Sequence, residues 1–381
     1  MRSPLLLLIP YLVFTACQNN TRPERSGPVS RTRVTQSSPI KRPPVTKPPK
    51  PTPMKHSGKP LTLKVKDVGI YSEFDSKVVI HIPRSIPVKD FSLGLRTDTK
   101  VLILYARKVP IKVYAVSTGT LPLASGTFTL SDKSDLGLQK SMGARRLTFT
   151  QKGKTVILAG HREGSTPPEE RLSLENDRLI ELYDHITKGA TLTIFSGRQK
   201  DDRDNDGIPN QVDILIGAIK LSWNAALYDD AYFSMKYPMG DPPKNKGVCT
   251  DVTIRAMRNA GFDLQELIHK DIRRNRSRYK AIKSVDRAVD HRRVRNMLPY
   301  FKAHYKLINT RLDWNTRSTY LPGDIIFMDV TSIWPGADHV GVIADKSDDM
   351  GFPYQIHNLS TTGYDVVHLR YRLLHHFRVT P

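Results

Sequence analysis

Among 381 residues only two are cysteines, and the second, Cys249, opens the stretch CTDVTIRAMRNAGFDL. Cys249, Val252, Thr253, Ala256, Met257 and Ala260 recur there at helical spacing, and Gly261 falls where a helix would end. Cys249 thus lies on a predicted first turn, where unpaired N–H groups and the positive end of the helix field favour a thiolate. A sulfur nucleophile also needs a base within hydrogen-bond reach and a third group to orient that base. Downstream, LPGDIIFMD, DHVGVIAD and YQIHN read as three β-strands, with His339 opening the second and His357 in the third. Alternation puts His339 on a face with Gly341 and Ile343, and His357 with Gln355. Adjacent strands would then present both imidazoles on one side, facing the helix that carries Cys249.

A second constellation precedes the first. In DDRDNDGIPNQVD, taking Asp202 as position 1 puts Asp204 at 3, Asp206 at 5, Gly207 at 6, the Ile208 carbonyl at 7, Asn210 at 9 and Asp213 at 12. That is the spacing by which a tightly turned loop aims oxygens at a hard cation such as calcium. Asp213 is shorter than the usual Glu and no helix enters the loop, so the pattern is closer to the DxDxDGIPN calcium loops of thrombospondin-type repeats. Its expected role is to stiffen a junction rather than to catalyse.

The elements that would hold these residues divide at that loop. From about 61 to 200, LTLKV, KVVIHI, KVLILYA, IKVYAV, GTFTL, RRLTFT, TVILAG and ATLTIF are short β-type runs separated by turn formers. They predict an antiparallel sheet or small sandwich with its own core. One helix is expected in RLSLENDRLIELYDHI, with Leu172, Leu179, Ile180, Leu182 and Tyr183 on one face. IKVYAVSTGTLPLASGTFTL and His161 have the flavour of an L,D-transpeptidase, but that family needs a cysteine closely following a histidine, and this half has none. It reads as an accessory domain. Beyond Cys249, residues 263–316 form a basic insertion in which DHRRVRNMLPYF predicts a helix capped by Asp290, with Val294, Met297, Leu298 and Phe301 inward. Trp223, Trp314 and Trp334 read as core or groove aromatics.

Charge and the N-terminus set the compartment. MRSPLLLLIPYLVFTAC has the basic start, short apolar run and small residues of an export signal. Its end resembles the lipobox of bacterial lipoproteins, which implies acylation of Cys17, and Gln18 favours an outer-membrane destination facing the periplasm. Residues 18–60 hold ten Lys or Arg, one acid (Glu24) and ten prolines, a composition that cannot bury a core and predicts a disordered basic tether. The net charge of +22, with a further dense patch from Lys270 to Arg295, favours anionic surfaces: lipid headgroups, acidic glycans or peptide carboxylates. Nucleic acid is excluded by compartment and by the lack of any binding motif.

The order GVCTD, PGDIIFMD, DHVGVIAD, IHN resembles the NlpC-type cell-wall peptidases, and YPMGDPPKNKGVCTDV and VDHRRV point to an uncharacterised bacterial family of that superfamily over about residues 214–378. The resemblance implies an α+β fold: a papain-like (NlpC-type) C-terminal domain, 214–381, preceded by the β-rich domain, 61–200, and the calcium-binding junction loop, 201–213. It implies Cys249 as nucleophile, His339 as general base, His357 as the orienting third member with Asn358 as rival, and no catalytic cofactor. His291, Arg292 and Arg293 are candidates to gather a substrate carboxylate. The expected function is hydrolysis of an amide bond in the cell envelope, with peptidoglycan stem peptides as leading substrate. A non-catalytic glycan- or lipid-binding lipoprotein and a thiol acyltransferase are the alternatives. The sequence does not fix the oligomeric state.

Overall fold

The computed structural model describes residues 78–119, 123–137, 143–162, 172–331, 336–367 and 371–380. The leader with Cys17, the tether 18–60, the LTLKV run and Trp334 lie outside the described residues. Among the described residues no helix is long and apolar enough to cross a membrane.

The first half builds one mixed sheet from β1 (Phe91–Arg96), β2 (Val101–Ala106), β3 (Val109–Ala115), β4 (Gly126–Asp135), β5 (Arg145–Gln151), β6 (Lys154–His161), β7 (Leu172–Glu175) and β8 (Thr191–Phe195). Its order is β3-β2-β1-β8-β4-β5-β6-β7, with β1–β8 and β6–β7 parallel. Ser117 and Ser173 exchange backbone hydrogen bonds of 3.0 and 2.8 Å between the segment after β3 and the strand β7, so the sheet nearly closes into a barrel. The predicted helix is shorter than its periodicity suggested. Leu172 belongs to β7, and α1 (Asn176–His185) begins only after it, burying Leu179 and Leu182. LSLE alternates like a strand, and parallel pairing with β6 settles its conformation.

KVVIHI departs from expectation in a useful way. The described part, 78–82, is extended chain outside any strand. Ile80 enters the core of the second half while Ile82 and Ile86 enter that of the first. His81 between them places its N–H and its Nδ1 each 2.8 Å from Asp345 Oδ2. The two halves therefore bury separate cores yet belong to one compact unit within 60–381, with this segment stitched between them.

The second half carries α2 (Asn210–Asn224), α3 (Cys249–Asn259), α4 (Leu264–Arg274) and α5 (Val294–His304). The small strands β9 (Leu227–Tyr228) and β10 (Lys246–Gly247) pair with each other. The main sheet comprises β11 (Lys306–Leu307), β12 (Ile325–Asp329), β13 (His339–Ser347), β14 (Pro353–Asn358), β15 (Thr362–Val366) and β16 (Arg372–Arg378), antiparallel throughout in the order β11-β16-β12-β13-β14-β15. α2 and α3 pack on each other and on β13. Where they meet, a Cβ on Gly217 would lie 2.9 Å from Ala256 Cα and 2.8 Å from Asn259 Cβ, so only glycine permits this approach. α3 ends at Asn259, and Gly261 two residues on, with a positive φ of 76°, turns the chain away where the sequence predicted a stop. α5 starts three residues later than Asp290 would place it. Asp290 instead accepts from the Asp286 N–H at 2.8 Å, and Arg293 occupies the cap position.

Candidate active site

Cys249 is the first residue of α3 and is 5% exposed. Two residues on, Asp251 reaches back to accept the Val248 N–H at 2.7 Å, satisfying one of the free donors of the first turn. A buried carboxylate so near the sulfur would oppose a thiolate, and Arg292 offsets it. Its guanidinium forks onto Asp251, Nε to Oδ1 and Nη2 to Oδ2, both at 2.8 Å, and Thr250 Oγ1 donates to the Arg292 carbonyl at 2.7 Å. This bidentate pair joins the CTD and DHRR segments.

That geometry revises the expected substrate-binding trio. Arg292 is committed to Asp251, and His291 is buried, with burial pushing its imidazole down to about 4, so at neutral pH it carries no charge to offer a carboxylate. Only Arg293 is exposed.

The imidazoles meet as alternation on neighbouring strands predicts. His339 Nε2 lies 2.8 Å from His357 Nδ1, with the rings at right angles. Gly341 makes room for this: a Cβ there would sit 3.3 Å from His357 Cβ. The chain of polar contacts continues to a residue the sequence reading missed. His357 Nε2 lies 3.5 Å from Asp365 Oδ2, long for a hydrogen bond but within ion-pair reach, and Asp365 in turn accepts from Tyr371 Oη at 3.0 Å. The His357 contact, with the Val366 N–H and Tyr371 hydroxyl, holds the Asp365 carboxyl down at about 2 despite partial burial. The signal for Asp365 lay in TGYDV, a strand after IHN that places Asp365 diagonally across from His357.

A carboxylate at the end of such a chain fixes the protons. With His357 Nε2–H directed at Asp365, Nδ1 of His357 must accept, so His339 donates from Nε2 and keeps Nδ1 as its basic nitrogen. Burial, aided by His357, holds the His339 pKa well below its ordinary value, so the ring rests neutral.

Val340, Val342, Ala344 and Ile356 join the core that contains Cys249, Val252 and Ala256. His339 alternates with them along β13 and pairs across the strands with Met328. The thiol segment is linked to this pair at the sheet end. Asn358, the last residue of β14, donates from Nδ2 to Gly247 O at 3.3 Å and to Ala226 O at 3.0 Å. His357, not Asn358, therefore meets His339, and Asn358 anchors the backbone two residues ahead of Cys249. Trp223 and Trp314 are exposed rather than core residues.

The acidic loop folds against the other end of α3. Asp202, Asp204 and Asp206 present carboxylate oxygens all within 4.8 Å of one another. Asp213 lies not in the loop but on the first turn of α2, fully buried. Burial pushes Asp206 up to about 7 and Asp213 well above the carboxylate range, and the neighbouring acids push in the same direction. Asn210 departs from its expected place, since its Oδ1 accepts the Arg203 N–H at 2.9 Å, and Ile208 buries its side chain in the core.

The second half is thus an α+β domain with a thiol at a helix start and a His–His–Asp chain on the adjoining sheet. Residues 217–379 match the family model described as a domain of unknown function, DUF1287. "Uncharacterized protein YijF" of Escherichia coli (strain K12) is 36% identical over 169 residues, covering 43% of this chain and 80% of that relative. The chain belongs to the DUF1287 family. Among solved structures, Mycobacterium tuberculosis L,D-transpeptidase 1 is 14% identical with a TM-score of 0.23, over 28% of this chain and 62% of that one. The L,D-transpeptidase (Yku) of Stackebrandtia nassauensis is 16% identical with a TM-score of 0.24, over 33% and 64%. The chain spans less than two thirds of either, and likeness at that level carries no argument about fold or activity.

Proposed function

We propose that the protein is a cell-envelope thiol hydrolase of papain-like, NlpC-type kind, cleaving an amide bond in peptidoglycan stem peptides. The observation that carries this reading is the buried His339–His357–Asp365 chain, joined through Asn358 to the backbone just ahead of the one thiol beyond the leader. In the proposed reaction His339 Nδ1 takes the Cys249 proton as sulfur attacks the carbonyl. The backbone N–H of Cys249, at the helix start, supports the developing oxyanion. The imidazolium returns the proton to the departing amine, leaving a thioester that water hydrolyses by the same base. His357 and Asp365 position His339, and Arg293 is the remaining candidate to meet a substrate carboxylate. Acylation at Cys17 would hold the enzyme at the outer membrane facing the periplasm, with the basic tether reaching towards the anionic wall.

The test is digestion of purified peptidoglycan by wild type and Cys249→Ala, with released fragments identified by mass. Cys249-dependent fragments carrying a new carboxyl and a new amine support the reading. Transfer of the acyl group to an amine or alcohol would make the protein an acyltransferase. Absence of any Cys249-dependent product from envelope polymers would leave a binding module, and an alkylation rate unchanged in His339→Ala would remove the dyad.

A further inference from the structure

We propose that Asp202, Asp204, Asp206 and Asp213 form a calcium site whose occupancy ties the cysteine helix α3 to the N-terminal sheet. The loop oxygens cluster within 4.8 Å, a spacing suited to one hard cation taking several oxygens at 2.3–2.6 Å. Two observations besides clustering point to a ligand. Asp202 is 2% exposed and Asp213 fully buried, and Oδ1 of Asp202 and Oδ2 of Asp213 are buried without a hydrogen-bond partner. Buried carboxylate oxygens left unmatched are costly unless a counter-charge meets them. The chain supplies one such charge: Arg96 Nη1 lies 2.5 Å from Asp202 Oδ2, which also accepts the Gly207 N–H at 3.1 Å. Arg203, the other nearby cation, turns away, donating from Nε to Gly261 O at 3.0 Å with its guanidinium over Phe262. Arg96 meets only one oxygen of Asp202, and a divalent ion would meet the buried oxygens left over on Asp202 and Asp213.

The position of the cluster defines what binding would do. Arg96 belongs to β1 of the first sheet, and a Cβ on Gly207 would meet Thr99 at 2.9 Å, so the loop lies tight against that sheet. Asp213 offers its backbone oxygen at 3.0 Å and its Oδ1 at 3.3 Å to Asn259 Nδ2, the last residue of α3. Arg203 holds the Gly261 carbonyl just beyond it. A cation drawing the four carboxylates together would fix three elements at once: β1, the start of α2 and the end of α3. None of this requires the thiol to be catalytic.

The test uses the full chain freed of metal by chelation, titrated with calcium chloride by calorimetry and followed by thermal unfolding. One calcium per chain is expected, with a rise in Tm of about 5 °C at a hundredfold excess over Kd, a smaller rise with magnesium, and slower amide exchange in residues 259–262. Asp206→Asn should weaken binding at least tenfold. If that variant does not fold, the wild-type titration alone decides. No heat and no Tm change up to millimolar calcium overturns the site. Binding without slowed exchange at the end of α3 overturns the coupling. Neither outcome depends on peptidoglycan cleavage.

Discussion

Two sets of buried and half-buried carboxylates in this chain behave in opposite ways. Asp324, fully buried, takes His376 Nε2 at 2.7 Å and the Arg378 fork at 2.7 and 2.6 Å. Burial alone would raise its pKa, but Arg378 and His376 outweigh it and bring the carboxyl to about 2. Asp365 beside His357 stands equally low, and Asp251 carries the Arg292 fork. Burial, and then acidic neighbours, push the Asp206 and Asp213 carboxyls upward. The contrast teaches where the fold has matched its own charge and where it has not. The histidine chain and the Asp251 clamp are matched within the fold, whereas the loop at 202–213 is the place where the proposed calcium would supply charge.

Removing the matched base should have the largest effect. His339→Ala is expected to lower Cys249-dependent amide cleavage by about 10²- to 10⁴-fold, the usual worth of a positioned general base. Steady-state rates on a peptidoglycan fragment measure it, and a loss under threefold would separate the imidazole pair from the chemistry. Next, Arg292→Ala removes the guanidinium fork from the buried Asp251. Breaking such a pair costs about 3–5 kcal/mol, read as a lower denaturation midpoint. If the midpoint is unchanged, Asp251 has another counter-charge and the comparison fails there.

Acid should separate the sets further. His291 binds its proton near 4 when folded and near 6.5 when unfolded, so the unfolded chain gains protons first. Stability is therefore lost as pH falls from 6.5 to 4, by roughly 3 kcal/mol in full. His339, also depressed, acts in the same direction. The low carboxyls of Asp324 and Asp365 add loss only as pH falls from 3.8 towards 2. Denaturation at pH 7, 5.5 and 4.5 should show a shallower slope for His291→Leu than for wild type. The smallest effect is expected of Asp365→Asn, which keeps the shape but not the charge that orders the two rings. Its cleavage rate should fall about tenfold, with the rate-limiting pKa of His339 displaced. A purely structural role would leave that pKa unmoved.

Much of this was legible locally. The helix from Cys249 to its Gly261 stop, the strands carrying His339 and His357, and the acidic spacing from Asp202 to Asp213 all follow from short-range periodicity. What failed were statements about facing. The roles read into DHRRV assumed an exposed basic surface, but Arg292 and His291 are buried because Asp251, 41 positions earlier, needs a counter-charge. KVVIHI looked like a strand because its alternation is real, yet the alternation serves two cores rather than one sheet.

The residue types and their spacing determined which groups are chemically able: a thiol at a helix start, two imidazoles on one strand face, a run of acids with a glycine turn. Only tertiary packing decided which of those groups are partnered. Hydrophobic burial took Val340, Val342 and Ile356 into the core shared with the helices, and strand pairing brought Asp365 beside His357. Charge compensation is a long-range matter, fixed by which elements come to lie side by side, and no local pattern encodes it.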